Sequence, residues 1–174
     1  MNMDTPTLAK RIRQVAYLEG DFTLRSGRKS HYYLDKYRFE TEPDILAELG
    51  RRLAACRSVA TTRLAGAELG GVSLAAAASL ASGIPFFIVR NSRKDYGTGQ
   101  LIEGRLERGD MVLLVEDIAT TGGQVLEAAK VVTGAGGRVE KIVAVIDRQE
   151  GARENIESSG YRFEALLTRQ DLGL

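Results

Sequence analysis

The chain has little of what the more conspicuous chemistries require: one cysteine, one histidine and no tryptophan among 174 residues. A single cysteine excludes an internal disulfide and a thiolate metal cluster, and it fits a reducing compartment. Cys56 follows Leu53, Ala54 and Ala55 in a helical pattern and reads as a buried structural thiol, not a nucleophile. His31, alone in a basic stretch, reads as a surface residue and not a catalyst. Neither sign of charge is in excess, because 24 Lys and Arg face 23 Asp and Glu. The chain therefore has no overall field to gather nucleic acid or a membrane surface. No apolar run approaches the ~20 residues of a membrane span, and charges stand early where a signal peptide needs an apolar stretch. A cytoplasmic protein of one domain is expected, since no linker interrupts a length typical of single domains.

What is present is patterned. Thr5 with Pro6 reads as a helix start, and Leu8, Ile12, Val15 and Ala16 repeat at helical spacing up to Gly20. Residues 21–37 change to β-prone text with a turn at Ser26 and Gly27, which predicts a hairpin flanked by positive charge. Thr41 then reads as the cap of a second helix, with Pro43 and Asp44 in its first turn. From there strands and helices alternate: strand over 59–65, helix over 72–81, strand over 85–89, strand over 112–115, helix over 124–132 and strand over 139–146. That alternation predicts an α/β fold with a parallel sheet flanked by helices. Residues 91–109 are charged and glycine-punctuated, too long for a routine connection, and loops of that kind are usually functional or disordered.

The most informative stretch is VLLVEDIATTGGQVLEAA, residues 112–129. An apolar strand ends in two adjacent carboxylates, Glu116 and Asp117, and passes through Ala119, Thr120, Thr121, Gly122 and Gly123 into a helix. In open α/β sheets the carboxyl ends of strands border the binding crevice. Backbone N–H groups of residues 119–123 can wrap a phosphate, because glycine permits close approach and a helix N-terminus favours negative charge. Carboxylates beside a phosphate cradle make sense when the ligand also carries hydroxyl donors or a bound Mg²⁺. A ribose bearing a phosphate and a pyrophosphate supplies all three. Residues 66–71 offer a second set of backbone donors for the pyrophosphate. No Gly-x-x-x-x-Gly-Lys string exists, and the glycines at 134–137 follow a helix where a dinucleotide loop must follow a strand.

In this order of strand, acid pair and Thr-Gly loop the sequence resembles the phosphoribosyltransferase family. Three further segments resemble the orotate phosphoribosyltransferases within it: FTLRSGRKSHYYLD at 22–35, VRNSRKDYGTGQLIEG at 89–104 and IDRQEGARE at 146–154. The resemblance implies a Rossmann-like core over about residues 41–174 with a small N-terminal hood over about 1–40. It also implies transfer of a 5-phosphoribosyl group from phosphoribosyl diphosphate (PRPP) to orotate with Mg²⁺, in pyrimidine nucleotide synthesis. Lys94, Arg90 and Asp95 would be catalytic, serving the diphosphate together with Arg93 and Tyr96. Glu116 and Asp117 would hold the ribose hydroxyls, residues 119–123 the 5′-phosphate, and Asp117 is a candidate contact for the metal that arrives with the substrate. Orotate, a planar anion, would meet Arg25, Tyr32, Tyr33, Thr120 and Arg148; donor forks suit its carboxylate and flat rings its face. Tyr32 and Tyr33 alternate on a strand, so one of the two is expected to face the ligand. The family implies a homodimer in which the loop over 91–104 serves the neighbouring subunit. Asn91 departs from the Arg-Lys pair that many members carry there. Two rivals stay open: a phosphoribosyltransferase for another base, and a PRPP-binding regulator of the same fold without chemistry.

Overall fold

The computed structural model describes residues 2–23, 27, 29–92 and 100–174. Helix α1 (Thr5–Ala16) is started by Asp4, whose side chain accepts the Thr7 amide at 2.8 Å. The cap is thus one residue earlier than Thr5, and the helix ends at Ala16, not Gly20, because Tyr17 turns extended. Its buried residues Leu8, Ala9, Ile12 and Ala16 form one stripe against the core. Strands β1 (Tyr17–Thr23) and β2 (Lys29–Leu34) pair antiparallel as the expected hairpin. A short helix not anticipated from the sequence, α2 (Lys36–Glu40), follows, capped by Asp35. Thr41 closes α2, and α3 (Pro43–Ala55) begins after Glu42.

The main sheet has six strands in the order β5-β4-β3-β6-β7-β8. Strands β3 (Arg63–Ala67), β4 (Phe86–Val89), β6 (Met111–Ala119), β7 (Arg138–Asp147) and β8 (Phe163–Thr168) run parallel. The two-residue β5 (Ile102–Glu103) lies antiparallel on the edge against β4, inside the stretch expected to be loop from 91 to 109. Helices α4 (Gly70–Ser82), α5 (Gly123–Gly134) and α6 (Ala152–Ser158) complete the crossovers. Strand β3 starts at Arg63, not at residue 59, since Val59 is fully exposed in the preceding turn. Helix α6 and strand β8 were not anticipated, because their apolar runs are short.

Both faces of the sheet are covered, which is why its strands read as continuous apolar runs. Leu64, Leu113, Val115, Val143 and Val145 point into the layer with α1, α3 and α4. Their neighbours Ala65, Val112, Leu114, Ile142 and Ala144 point into the layer with α5 and α6. One strand thus feeds two cores by simple alternation. From β3 the chain first moves outward to β4 and β5, then returns to the other side of β3 as β6. This reversal places the crevice between β3 and β6, at the carboxyl ends of both.

Candidate active site

Strand β6 runs to Ala119, because its ladder with β7 continues through Ile118↔Ile146 and Ala119↔Asp147. Glu116 and Asp117 therefore lie inside the strand, not at its end as expected. Both are buried, at 7% and 2% exposure. Burying two adjacent acids is costly without compensation, and the hood provides some of it. From α2, the Lys36 ammonium reaches Asp117 Oδ2 at 2.6 Å, and the Ile118 amide donates to Asp117 Oδ1. A third acid, Glu40, sits at 3% exposure on the same helix. Glu40 Oε1 and Glu116 Oε2 are buried and accept no hydrogen bond among the described residues.

The electrostatics follow from this crowding. Burial and the charge of Asp117 push the Glu40 carboxyl up to about 8, with Lys36 pulling the other way. Burial first, and Asp117 second, hold Glu116 well above the ordinary glutamate value. For Lys36, burial lowers the pKa, but the hydrogen bond and charge of Asp117 outweigh it and leave the ammonium above its usual value. Gly70, at the start of α4, is required here by close approach: a Cβ would stand 1.7 Å from Asp117 Oδ2 and 3.0 Å from Glu40 Oε1. Sequence reasoning missed Lys36 and Glu40. The signal was the charge flanking the hairpin, but nothing in a linear pattern says that α2 folds over β6.

Behind the acids, the loop 119–123 is held from beneath. Its Ala119 carbonyl accepts the Arg148 amide at 2.9 Å, and its Thr121 carbonyl accepts Asn155 Nδ2 at 2.9 Å. Gly122 adopts a left-handed conformation, φ 78°, and a Cβ there would meet Ile156 Cγ1 at 2.9 Å. Helix α5 begins at Gly123 with no side-chain cap. Carbonyls are thus engaged on the inner side, while the first-turn amides of α5 lack intrahelical acceptors, as at any helix start. Asn155 is a third residue that sequence reasoning missed.

The other expected site residues divide. Arg148 stands directly after β7, its guanidinium 3.1 Å from Glu150. Tyr32 stacks on Tyr17 with ring centroids 5.7 Å apart, and Tyr33 tilts against Phe22 at 5.6 Å. Tyr33 is the more exposed of the two, at 40%. At the end of β4, the Arg90 amide donates to the Leu101 carbonyl at 2.8 Å, which closes the base of the segment between β4 and β5. The Arg90 guanidinium reaches the Ser92 carbonyl at 3.3 Å and lies 3.9 Å from Glu103. Arg25, Arg93, Lys94, Asp95 and Tyr96, and Ser26 of the expected turn, lie outside the described residues. Cys56 is only half-buried, with its thiol near Glu164. Burial and that carboxylate push the thiol up to about 12, so it is inert as a nucleophile. His31 is on the surface beside Asp21, 3.1 Å away.

Comparison with known proteins places this geometry. The family model described as the phosphoribosyl transferase domain matches residues 46–160, and the chain belongs to that family. It shares 46% identity over 171 residues with the orotate phosphoribosyltransferase of Methanocella arvoryzae, covering 98% of this chain and 97% of that one. Against the orotate phosphoribosyltransferase of Pyrococcus horikoshii the identity is 44% over 156 residues, 88% of this chain and 84% of the other. A crystal structure of Mycobacterium tuberculosis orotate phosphoribosyltransferase with PRPP superposes with TM-score 0.83 at 36% identity, over 99% of this chain and 100% of that one. Within the family, its place is among the orotate phosphoribosyltransferases. An adenine phosphoribosyltransferase of Leishmania donovani, at 19% identity and TM-score 0.73, shares the fold alone.

Proposed function

We propose an assignment of residues to the steps of the orotate phosphoribosyltransferase reaction. The chain joins orotate to the phosphoribosyl group of PRPP, in pyrimidine biosynthesis. In the transfer the bond from ribose C1 to pyrophosphate breaks, a bond from C1 to the orotate ring nitrogen forms, and pyrophosphate leaves. Positive charge grows on the ribose and negative charge on the leaving group, so the protein has to hold the sugar, receive that negative charge and exclude water.

One observation carries the assignment. The buried carboxyls of Glu116 and Glu40 each leave one oxygen without a hydrogen-bond partner among the described residues, and β6 runs on from Glu116 into the loop that opens an uncapped helix. Oxygens buried in that way call for hydrogen-bond partners from a ligand, and ribose hydroxyls, which both donate and accept, are such partners. Glu116 and Asp117 hold those hydroxyls, while Ala119, Thr120, Thr121, Gly122 and Gly123 take the 5′-phosphate at the start of α5. Arg90 guards the entrance of the leaving-group loop. Lys94, with Arg93, Asp95 and Tyr96, meets the pyrophosphate. Arg148 and Arg25 face the orotate carboxylate, with Thr120, Tyr32 and Tyr33 around the ring. The hood over about 1–40 and the core over about 41–174 act as one domain. Two copies pair so that the loop over 91–104 serves the neighbouring site.

The donor set also fits Mg²⁺ delivered on the substrate. Among the described residues no three His, Cys, Asp or Glu side chains form a metal-holding group by themselves. Mg²⁺ characteristically uses one or two carboxylates together with substrate phosphates, and Asp117 is the carboxylate that would make that contact. When bound, the ion neutralises charge on the departing pyrophosphate. Among the described residues no helix is long and apolar enough to cross a membrane.

The test is release of pyrophosphate from PRPP by the purified protein, with orotate, adenine and hypoxanthine offered separately in the presence of Mg²⁺. Release with orotate alone supports the assignment. Release with a purine alone would transfer it to another base, and PRPP binding without any release would favour a regulator of the same fold.

A further inference from the structure

Asn91, just past the end of β4, has a set of partners in the structure. Its amide donates to Glu68 Oε2 at 3.0 Å, and its Nδ2 donates to the Glu68 carbonyl at 3.0 Å. Gln124, in the first turn of α5, donates from Nε2 to the same carbonyl at 3.2 Å and to Asn91 Oδ1 at 3.2 Å. Glu68 itself donates from its amide to the Val89 carbonyl at 2.8 Å. Three elements meet in this ring: the turn after β3, the exit of β4 and the start of α5.

The ring is closed by a side chain at position 91 that donates and accepts at once, as a carboxamide does. The Glu68 carbonyl has two lone pairs, and each takes one side-chain amide. The Asn91 side chain has to donate to Glu68 and accept from Gln124 at once. A lysine ammonium can do the first but has no acceptor for the second. Asn91 and Gln124 are both exposed, and hydrogen bonds made in competition with water add little to stability. What the ring fixes is relative position.

We propose that Asn91 and Gln124 form a positioning clamp that sets the turn over 66–71 against the loop over 119–123. This rests on the reading that those two segments hold opposite ends of PRPP. A single substrate with a phosphate at one end and a pyrophosphate at the other has a fixed span, so binding it requires two cradles at a fixed separation.

Steady-state kinetics of Asn91→Ala, Gln124→Ala and the double variant test the clamp, with PRPP and orotate varied in turn and thermal midpoints recorded. Each single change is expected to raise KM for PRPP about 5- to 10-fold, the scale of one lost hydrogen bond network. KM for orotate and the thermal midpoint should stay near their wild-type values. The double variant should be no worse than the worse single one, because the ring opens once. Unchanged KM for PRPP, effects that multiply, an equal rise for orotate, or a lowered midpoint with KM unmoved would each overturn the clamp. Failure of the wild-type protein to turn over PRPP would strike the parent assignment instead, so the two failures are distinguishable.

Discussion

The Lys36 ammonium stands 2.6 Å from Asp117 Oδ2, and through that contact the N-terminal hood reaches the carboxylates of the central sheet. Around that contact the site collects Glu40, Glu116 and Asp117, all buried. Lys36 is the cation that three acids share, pulling the Glu40 carboxyl down and gaining from both Asp117 and Glu116. Replacing it by alanine leaves an uncompensated buried charge. We expect Lys36→Ala to lose about 2 kcal/mol of stability in urea denaturation, less than the roughly 3–5 kcal/mol of a fully buried pair because the lysine is partly exposed. The same variant should weaken PRPP binding. Undiminished stability would show that the pair is only a surface contact.

A pH dependence follows from Glu40. Its carboxyl titrates near 8 in the folded chain and near the ordinary 4.5 when exposed. Between those values the folded state keeps a proton that the unfolded state has released, so stability falls as pH rises. The loss begins above about pH 5 and levels off near 8, and Glu116, also shifted upward, acts in the same direction. Denaturation midpoints of the ligand-free protein across this range should decline, and Glu40→Gln should flatten the decline. A Glu40→Gln profile that overlays the wild type would remove Glu40 from the account.

Gly70 tests how tightly α4 is fitted to the acids. A methyl group there would lie 1.7 Å from Asp117 Oδ2, so that the carboxylate has to move. Since misplacement by about 1 Å can cost on the order of 100-fold in rate, Gly70→Ala should lower kcat/KM for PRPP by roughly that factor. Circular dichroism should show the fold retained. Full activity in this variant would mean that Asp117 has room the structure does not give it.

Asn155 tests the loop from below. Its side chain holds the Thr121 carbonyl at 2.9 Å from outside the crevice. Asn155→Ala removes one neutral hydrogen bond, and we expect KM for PRPP to rise about 3- to 10-fold with KM for orotate unmoved. Parallel changes in both constants would argue that Asn155 supports the fold, not the phosphate loop.

Much of this was readable from the chain before its folding. The apolar runs at 112–115 and 139–146 announced buried parallel strands, and the acid pair followed by Thr-Thr-Gly-Gly announced the loop. The limits were missed for physical reasons. Glu116 and Asp117 continue β6 because β7 pairs with it as far as Ala119, and pairing with a distant strand is not written in local propensity. Helix α2 is five residues long, too short for a periodic signal, yet it carries Lys36 and Glu40. Asn91 stood out in the sequence only as a departure. Its partners, Glu68 and Gln124, are 23 and 33 residues away and meet it only through the order of the strands.

The central claim is that the acid pair on β6 binds the sugar of PRPP. Calorimetric titration of Mg²⁺ and PRPP into wild-type, Glu116→Gln and Asp117→Asn proteins measures it directly. For Asp117→Asn, loss of a charge-assisted hydrogen bond, about 1.5–3 kcal/mol, corresponds to a Kd raised on the order of 10- to 100-fold. For Glu116→Gln, whose carboxyl is held well above its ordinary value, loss of a neutral hydrogen bond, about 0.5–1.5 kcal/mol, corresponds to a rise of about 2- to 10-fold. An unchanged Kd in both variants would contradict the account.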